Sequence, residues 1–506
     1  MTLQNAYSSR PLYPEYHSGL LLVQVQPARL QPRRMGIAAE FSLESMVVGD
    51  LPVGMAALSH FERAGLVKRV IPVGRPASAE AGIGAEALVA RAPGGYRASA
   101  AIMASAVSTE QKRLDAGLSL IELQRDQDVE ALRQALASDP TVQNVSRVPV
   151  RYLLARRKPS AKKAGTVKAG AGVAKAAPTT QMWNLEKIKW AQARARSGFK
   201  DAGAIKVAVL DTGIDQTHPD LQGHIGPYVY DHPDLPTASS AQDIIGHGTH
   251  VAGTIAASIN SVGINGICTC QLNIWKIFDD IPDLDSPQAP TEFAYFVDPA
   301  MYLRALIDCQ ERGMDVVNLS IGGGGTPDFA ETQAFSRLLA NGTVVVAAMG
   351  NERQWGSPTS YPAALPSVIA VGATNIVDRV AVFSNRGNHI SVCAPGVAIW
   401  STLPLNPGQF GFEAVSDGSG NYRQGKPKRR ETDYDAWDGT SMASPHVAAA
   451  VALHLANGGN RGAPAVSSAL GATVDKVPAM GGRDFDADYG HGRLNLDALV
   501  KRAQGG

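Results

Sequence analysis

The chain has 506 residues, 44% hydrophobic and 18% charged, with a formal net charge of +1 and a pI near 7.7. That length exceeds one ordinary core and predicts two or three domains, in a folded protein able to bury a large interior. The near-neutral balance gives no general reason to expect nucleic acid or a membrane as partner, and no apolar run reaches spanning length.

Near the start, residues 19–26 are apolar but short and interrupted by glutamine, which predicts a strand, not the core of a secretion signal. The first residues also lack a basic cluster. The expected location is therefore cytoplasmic, or else the chain leaves by a route with no recognisable leader. A strand at 20–25, a helix at 55–64 and a strand at 67–73 make one β-α-β half, and a strand at 118–123, a helix at 128–136 and a strand at 142–150 make a second. Residues 1–153 thus form a small α+β domain, with a long connection over 77–112. Residues 154–180 carry Arg156, Arg157, Lys158, Lys162, Lys163, Lys168 and Lys175 among Ala, Gly and Pro, with no acidic residue. Such a segment buries too little to order itself and reads as a flexible, cleavable linker. No aromatic residue interleaves its lysines, which argues against a nucleic-acid tail.

From residue 181 to 506, apolar runs at 207–210, 272–277, 316–320, 343–348 and 367–371 alternate with helical ones. Continuous apolar strands between helices predict an α/β domain with a parallel sheet covered on both faces. Its crevice lies at the strands' carboxyl ends, where Asp211, Ser320 and Asn351 fall. The four cysteines, Cys268, Cys270, Cys309 and Cys393, are too few for a disulfide scaffold; one bridge from the first pair to Cys309 stays open, with buried free thiols favoured.

The chemistry sits in short blocks. Val207-Ala208-Val209-Leu210-Asp211-Thr212-Gly213 is a strand ending on a carboxylate. Gly246-His247-Gly248-Thr249-His250-Val251 places an imidazole between glycines, and Gly439-Thr440-Ser441-Met442-Ala443-Ser444-Pro445-His446 places a hydroxyl before an alanine-rich helix, with Pro445 expected in its first turn. Taken singly, an Asp after a strand is a turn residue and a lone His a satisfied core group. Together they supply what a weak hydroxyl nucleophile needs: His247 as base and then acid, and Asp211 to hold the imidazole's tautomer. The order Asp, His, Ser and the near residue-for-residue blocks resemble the subtilisin-like (subtilase) serine peptidases, from about Gln181 to the closing Tyr489-Gly490-His491-Gly492-Arg493-Leu494-Asn495.

That resemblance implies a subtilisin-like sandwich of helices about the sheet and a serine endopeptidase acting on polypeptides through an acyl-enzyme. It implies Asn351 and the Ser441 N–H as oxyanion donors. For substrate it implies a strand at Ser320, Ile321, Gly322 and Gly323, and a pocket lined by Ala348, Met349 and Gly350 with Ser360 at the floor and Glu352 near the rim. It implies structural Ca²⁺ held by Gln181, Asp220, Ser258, Asn260, Val262 and Ile264, with a simple turn cap as the alternative role for Asp220, and no organic cofactor. The front domain resembles the family's inhibitory propeptide, which would make this a self-processing zymogen inhibited by its own N-terminal domain. The alternatives are a catalytically silent binding protein of the same fold, or a front domain that is a separate binding module. Residues 279–298 and 406–435 read as long structureless loops, the second, with Lys426-Pro427-Lys428-Arg429-Arg430, gating substrate or being cut itself.

Overall fold

The computed structural model describes residues 13–25, 56–73, 117–124, 128–154, 156–157, 179–230, 242–260, 262–286 and 290–505. The chain divides into two compact units, Tyr16–Val148 and a larger one holding Pro149–Gly506 with the first residues. The long connection over 77–112 and most of the basic linker lie outside the described residues.

The smaller unit is a four-stranded sheet in the order Val67–Pro72, Leu118–Leu123, Tyr16–Val25, Val142–Pro149. The helices Ala56–Arg63 and Val129–Ala137 contribute Leu58, Val129, Leu132 and Leu136 to a core with Leu21, Val23 and Ile121. Both β-α-β halves read from the sequence are present.

In the larger unit, seven strands run parallel in the order Ile390–Pro395, Ile369–Thr374, Val344–Ala348, Val316–Leu319, Lys206–Asp211, Gln271–Lys276, Ile225–Tyr230. Successive residues of one strand face opposite cores: Val207 and Val209 pack with the helices His247–Ala256 and Thr440–Ala456, while Ala208 and Leu210 pack with Pro299–Glu311 and Phe329–Ala340. The chain turns from one side of Lys206–Asp211 to the other, which opens the crevice between that strand and Val316–Leu319.

The helix carrying Ser441 is buried from Thr440 to Leu455, as its alanine-rich sequence, apolar all round, requires. It begins at Thr440, so Pro445 falls in its second turn and not, as expected, in its first. Proline removes the N–H that would bond the Ser441 carbonyl one turn back. The Ser320 hydroxyl takes that carbonyl instead at 3.0 Å. Further along, His446 donates from Nδ1 to Met442 O (2.8 Å) and accepts at Nε2 from the Asn184 amide (2.9 Å), an arrangement only the neutral ring satisfies.

The two expected loops carry strands. Asp283–Leu284 and Glu292–Ala294 pair with each other and with the hairpin Gln409–Ser416 and Tyr422–Arg429, forming one four-stranded sheet from two distant insertions. Arg430, expected in an exposed basic run, is buried. It donates to the carbonyls of Ile244 (2.9 Å), Asp243 (3.2 Å), Pro404 (3.2 Å) and Glu431 (2.9 Å), tying the insertion to the segment ahead of His247. All four cysteines are buried and free. Among the described residues no helix is long and apolar enough to cross a membrane.

Arg430→Met should cost about 3 kcal/mol in urea unfolding, because four buried carbonyls lose their donor; a loss under about 1 kcal/mol would show that the brace is dispensable. Burial holds the His446 imidazole down at about 4, against about 6.5 when exposed. Between those values the unfolded chain binds a proton the folded one refuses, so stability falls as pH drops through that window, by on the order of 3 kcal/mol from this group. His446→Gln, made in a Ser441→Ala background, should lose that slope. An unchanged slope would contradict the assignment.

Candidate active site

Asp211 closes its strand and His247 opens its helix, and the two are brought together because the chain is glycine where they cross. A Cβ on Gly248 would lie 2.1 Å from the Gly213 carbonyl and 3.2 Å from Asp211 Cβ, so any larger residue would push the helix off the strand end. His247 Nδ1 donates to Asp211 Oδ1 at 2.7 Å, with both side chains fully buried. That bond leaves the lone pair on Nε2, which has no hydrogen-bond partner among the described residues. The helix's first-turn donors are met by Thr212, which accepts from Gly248 N (2.8 Å), and by Asp243, which accepts from Gly246 N (2.7 Å) and Thr249 N (2.9 Å). Sequence reasoning missed Asp243; a carboxylate four residues ahead of a helix was its only signal. His250, in the same block, stacks on Trp437 at 4.9 Å and bonds Ile399 O. Burial and then the neighbouring His247 hold it neutral down to about 3, which leaves it a packing role.

Ser441 is the second residue of its helix, with its Oγ donating to Ser320 O at 2.8 Å. Asn351 stands beside it. Its Oδ1 accepts from Thr440 N (3.0 Å) and Thr440 Oγ1 (2.9 Å), which fixes which end of the amide is NH₂. Nδ2 therefore faces the cleft, and there it donates to the carbonyl of Leu154. The N–H of Ser441 donates to the same oxygen at 3.3 Å.

The chain thus lies in its own cleft. Tyr152–Leu153 pair antiparallel with Ile321–Gly322, Leu154 N reaches Ser320 O at 3.5 Å, and on the other side Val297 N donates to Arg151 O at 3.0 Å. Arg156–Arg157 continue as a strand on Trp437–Asp438. Of the four residues expected in a binding strand, Ile321 and Gly322 form the paired strand, with Ser320 and Gly323 flanking it, and Leu154 packs with Ala348. The Leu154 side chain and the Ser360 hydroxyl both close on Gly322, where an added Cβ would meet them at 2.7 and 2.4 Å. Gly350 adopts φ +111° and donates its N–H to Thr440 Oγ1 (3.2 Å). Glu352 corrects an expectation: it is a buried buttress and not a rim charge. Its Oε2 accepts from Asn351 N (2.7 Å) and Asn385 Nδ2 (2.9 Å), and its Oε1 accepts from the Tyr152 hydroxyl (3.3 Å).

Of the expected calcium ligands, Asp220 is buried under the loop 258–264. Its Oδ2 accepts from Ile264 N (2.9 Å) and the Tyr434 hydroxyl (3.1 Å), its carbonyl accepts from Ser258 N (2.7 Å), and its Oδ1 has no hydrogen-bond partner among the described residues. Asn260 instead turns its Oδ1 onto Val262 N (2.7 Å), and Gln181 lies in the short turn Thr179–Met182. Among the described residues no group of three or more His, Cys, Asp or Glu is gathered for a metal. The orphaned buried oxygen of Asp220 is the feature that fits a cation, with loop carbonyls to complete the shell.

Residues 202–492 match the model of the Subtilase family. Subtilisin of Bacillus pumilus is 35% identical over 323 residues, 63% of this chain and 98% of that protein. The major intracellular serine protease of Bacillus subtilis (strain 168) is 36% identical over 255 residues, 49% of this chain and 67% of that protein. The solved structure of fervidolysin from Fervidobacterium pennivorans, described as a keratinolytic enzyme related to subtilisin, superimposes with a TM-score of 0.58 over 97% of this chain and 62% of that one. At 24% identity, that likeness speaks to the fold. With a parallel sheet bearing the expected blocks at its carboxyl edge and a family model over more than half its length, the chain belongs to the subtilases and is a subtilisin-like serine endopeptidase.

Proposed function

We propose that Ser441, His247 and Asp211 form the catalytic triad and that their first substrate is the chain itself, cut after Leu154. The observation that carries this reading is the Leu154 carbonyl, held between Asn351 Nδ2 and the N–H of Ser441 beside the serine hydroxyl. In the reaction the Ser441 hydroxyl leaves Ser320 O, gives its proton to His247 Nε2 and adds to the Leu154 carbonyl carbon. The oxygen, now negative, strengthens the two hydrogen bonds already aimed at it. Collapse breaks the bond to Ala155, whose amine takes the proton from His247, and a water deprotonated by the same ring frees the Leu154 carboxylate and restores Ser441. Asp211 holds the ring with Nε2 inward and stabilises its cation. Other polypeptides then take the vacated groove by main-chain pairing.

On this reading residues 1–154 are an inhibitory N-terminal domain, 155–180 the segment released or trimmed, and 181–506 the peptidase. Its support is that residues 150–154, continuous with the front domain, fill the groove. A Ca²⁺ ion held by Asp220 with carbonyls of loop 258–264 would pin that loop, taking no part in the chemistry.

Mass spectrometry of the purified wild-type chain should show products ending at Leu154 and starting at Ala155, with Ser441→Ala intact. An intact wild type that a fluorophosphonate also fails to label at Ser441 would instead favour a silent binding protein. Calcium should raise the melting temperature of the Ser441→Ala chain by roughly 5 °C, a rise that Asp220→Asn abolishes; no calcium effect would remove the ion from the account.

A further inference from the structure

We propose that this peptidase selects polypeptides with arginine at the fourth residue before the cut bond, and that Glu331 does the selecting. The inference rests on the peptidase reading above and on residues 150–154 lying in the groove as a substrate lies. Counting back from Leu154, that fourth residue is Arg151. It is 1% exposed, as is Glu331, 180 residues away. The guanidinium meets the carboxylate as a fork, Nε to Oε1 at 3.2 Å and Nη2 to Oε2 at 2.7 Å, while Nη1 donates to the carbonyls of Gly325 (2.9 Å) and Val150 (3.3 Å).

The pocket is built for that group. Glu331 is the third residue of the helix Phe329–Ala340, where a glutamate ordinarily caps the helix start, and Asp328 does accept from Glu331 N at 2.7 Å. The Glu331 carboxylate, however, is turned to Arg151 and to the Tyr302 hydroxyl, which donates at 3.1 Å. Tyr302 is neutral and Asp328 is itself acidic, and the cation that pairs with Glu331 is Arg151. The wall is glycine where the substrate passes: a Cβ on Gly323 would lie 2.1 Å from Val150 O and 3.3 Å from Arg151 Nη1. A small or apolar side chain in Arg151's place would leave Glu331 desolvated and unpaired. Lysine offers one point of charge to a site shaped for a planar fork. The neighbours are less exacting. Leu153 is apolar, and Tyr152 meets Glu352 through one long hydrogen bond.

The test compares kcat/KM of the purified wild-type chain on quenched peptides of sequence Arg-Tyr-Leu-Leu-Ala-Arg-Arg, with the first arginine replaced by alanine, lysine or glutamate. Arginine should exceed alanine by ~100-fold, as expected for a buried charge pair losing one partner, and should exceed lysine by roughly tenfold. Glu331→Gln should pull the arginine-to-alanine ratio down toward one. An arginine-to-alanine ratio below about ten in the wild type, or one unmoved by Glu331→Gln, overturns the selection with the peptidase intact. Failure to cut any of the four peptides overturns the peptidase reading beneath it.

Discussion

A helix buried along its whole length has no water to satisfy the free N–H groups of its first turn, and the active site is built around that constraint. The helix Thr440–Ala456 runs through the core, so its leading donors need partners inside the protein. Thr440 N takes the Asn351 side-chain oxygen, and Ser441 N is left to a carbonyl that arrives in the groove, here Leu154. Satisfying the first bond is what turns the Asn351 NH₂ toward the second. On the proposed mechanism, the anion-binding corner is therefore the uncapped end of a structural element, pointed at the residue that carries the nucleophile. The helix of His247 shows the opposite solution, its first-turn donors spent on Asp243 and Thr212, so that its leading side chain rather than its backbone faces the chemistry.

Much of this was legible in the sequence because it is local. Apolar runs gave the sheet, and the blocks around Asp211, His247, Asn351 and Ser441 carried their own context. What the sequence concealed is long-range. Glu352 looked like a surface charge until Asn385 and the Asn351 backbone claimed it. Arg430 looked like part of a solvated basic run until four carbonyls from separate segments closed on it. Pro445 was expected in a first turn because nothing local shows that Ser320 supplies the missing hydrogen bond. The two insertions read as loops since each holds only edge-like strands, and a sheet forms only when both meet. Glu331 was hidden most fully, because its position at a helix start has an ordinary explanation.

The insertions also bear on the groove. One contributes Val297, which bonds Arg151 O, so the bound strand is held on both edges instead of one. A strand paired on both sides gains main-chain affinity independent of its sequence, which leaves selectivity to the few side chains that enter closed pockets. Leu154 against Gly322 and Ser360, and Arg151 against Glu331, are those side chains here.

The proposed mechanism depends on residues 150–154 occupying the cleft of an uncut chain. A crystal structure of the full-length Ser441→Ala protein tests this most directly. The expected result is continuous density through the groove, with the Leu154 carbonyl oxygen about 3 Å from both Asn351 Nδ2 and the N–H of residue 441. A cleft free of the chain, with residues 150–154 running elsewhere, would contradict it.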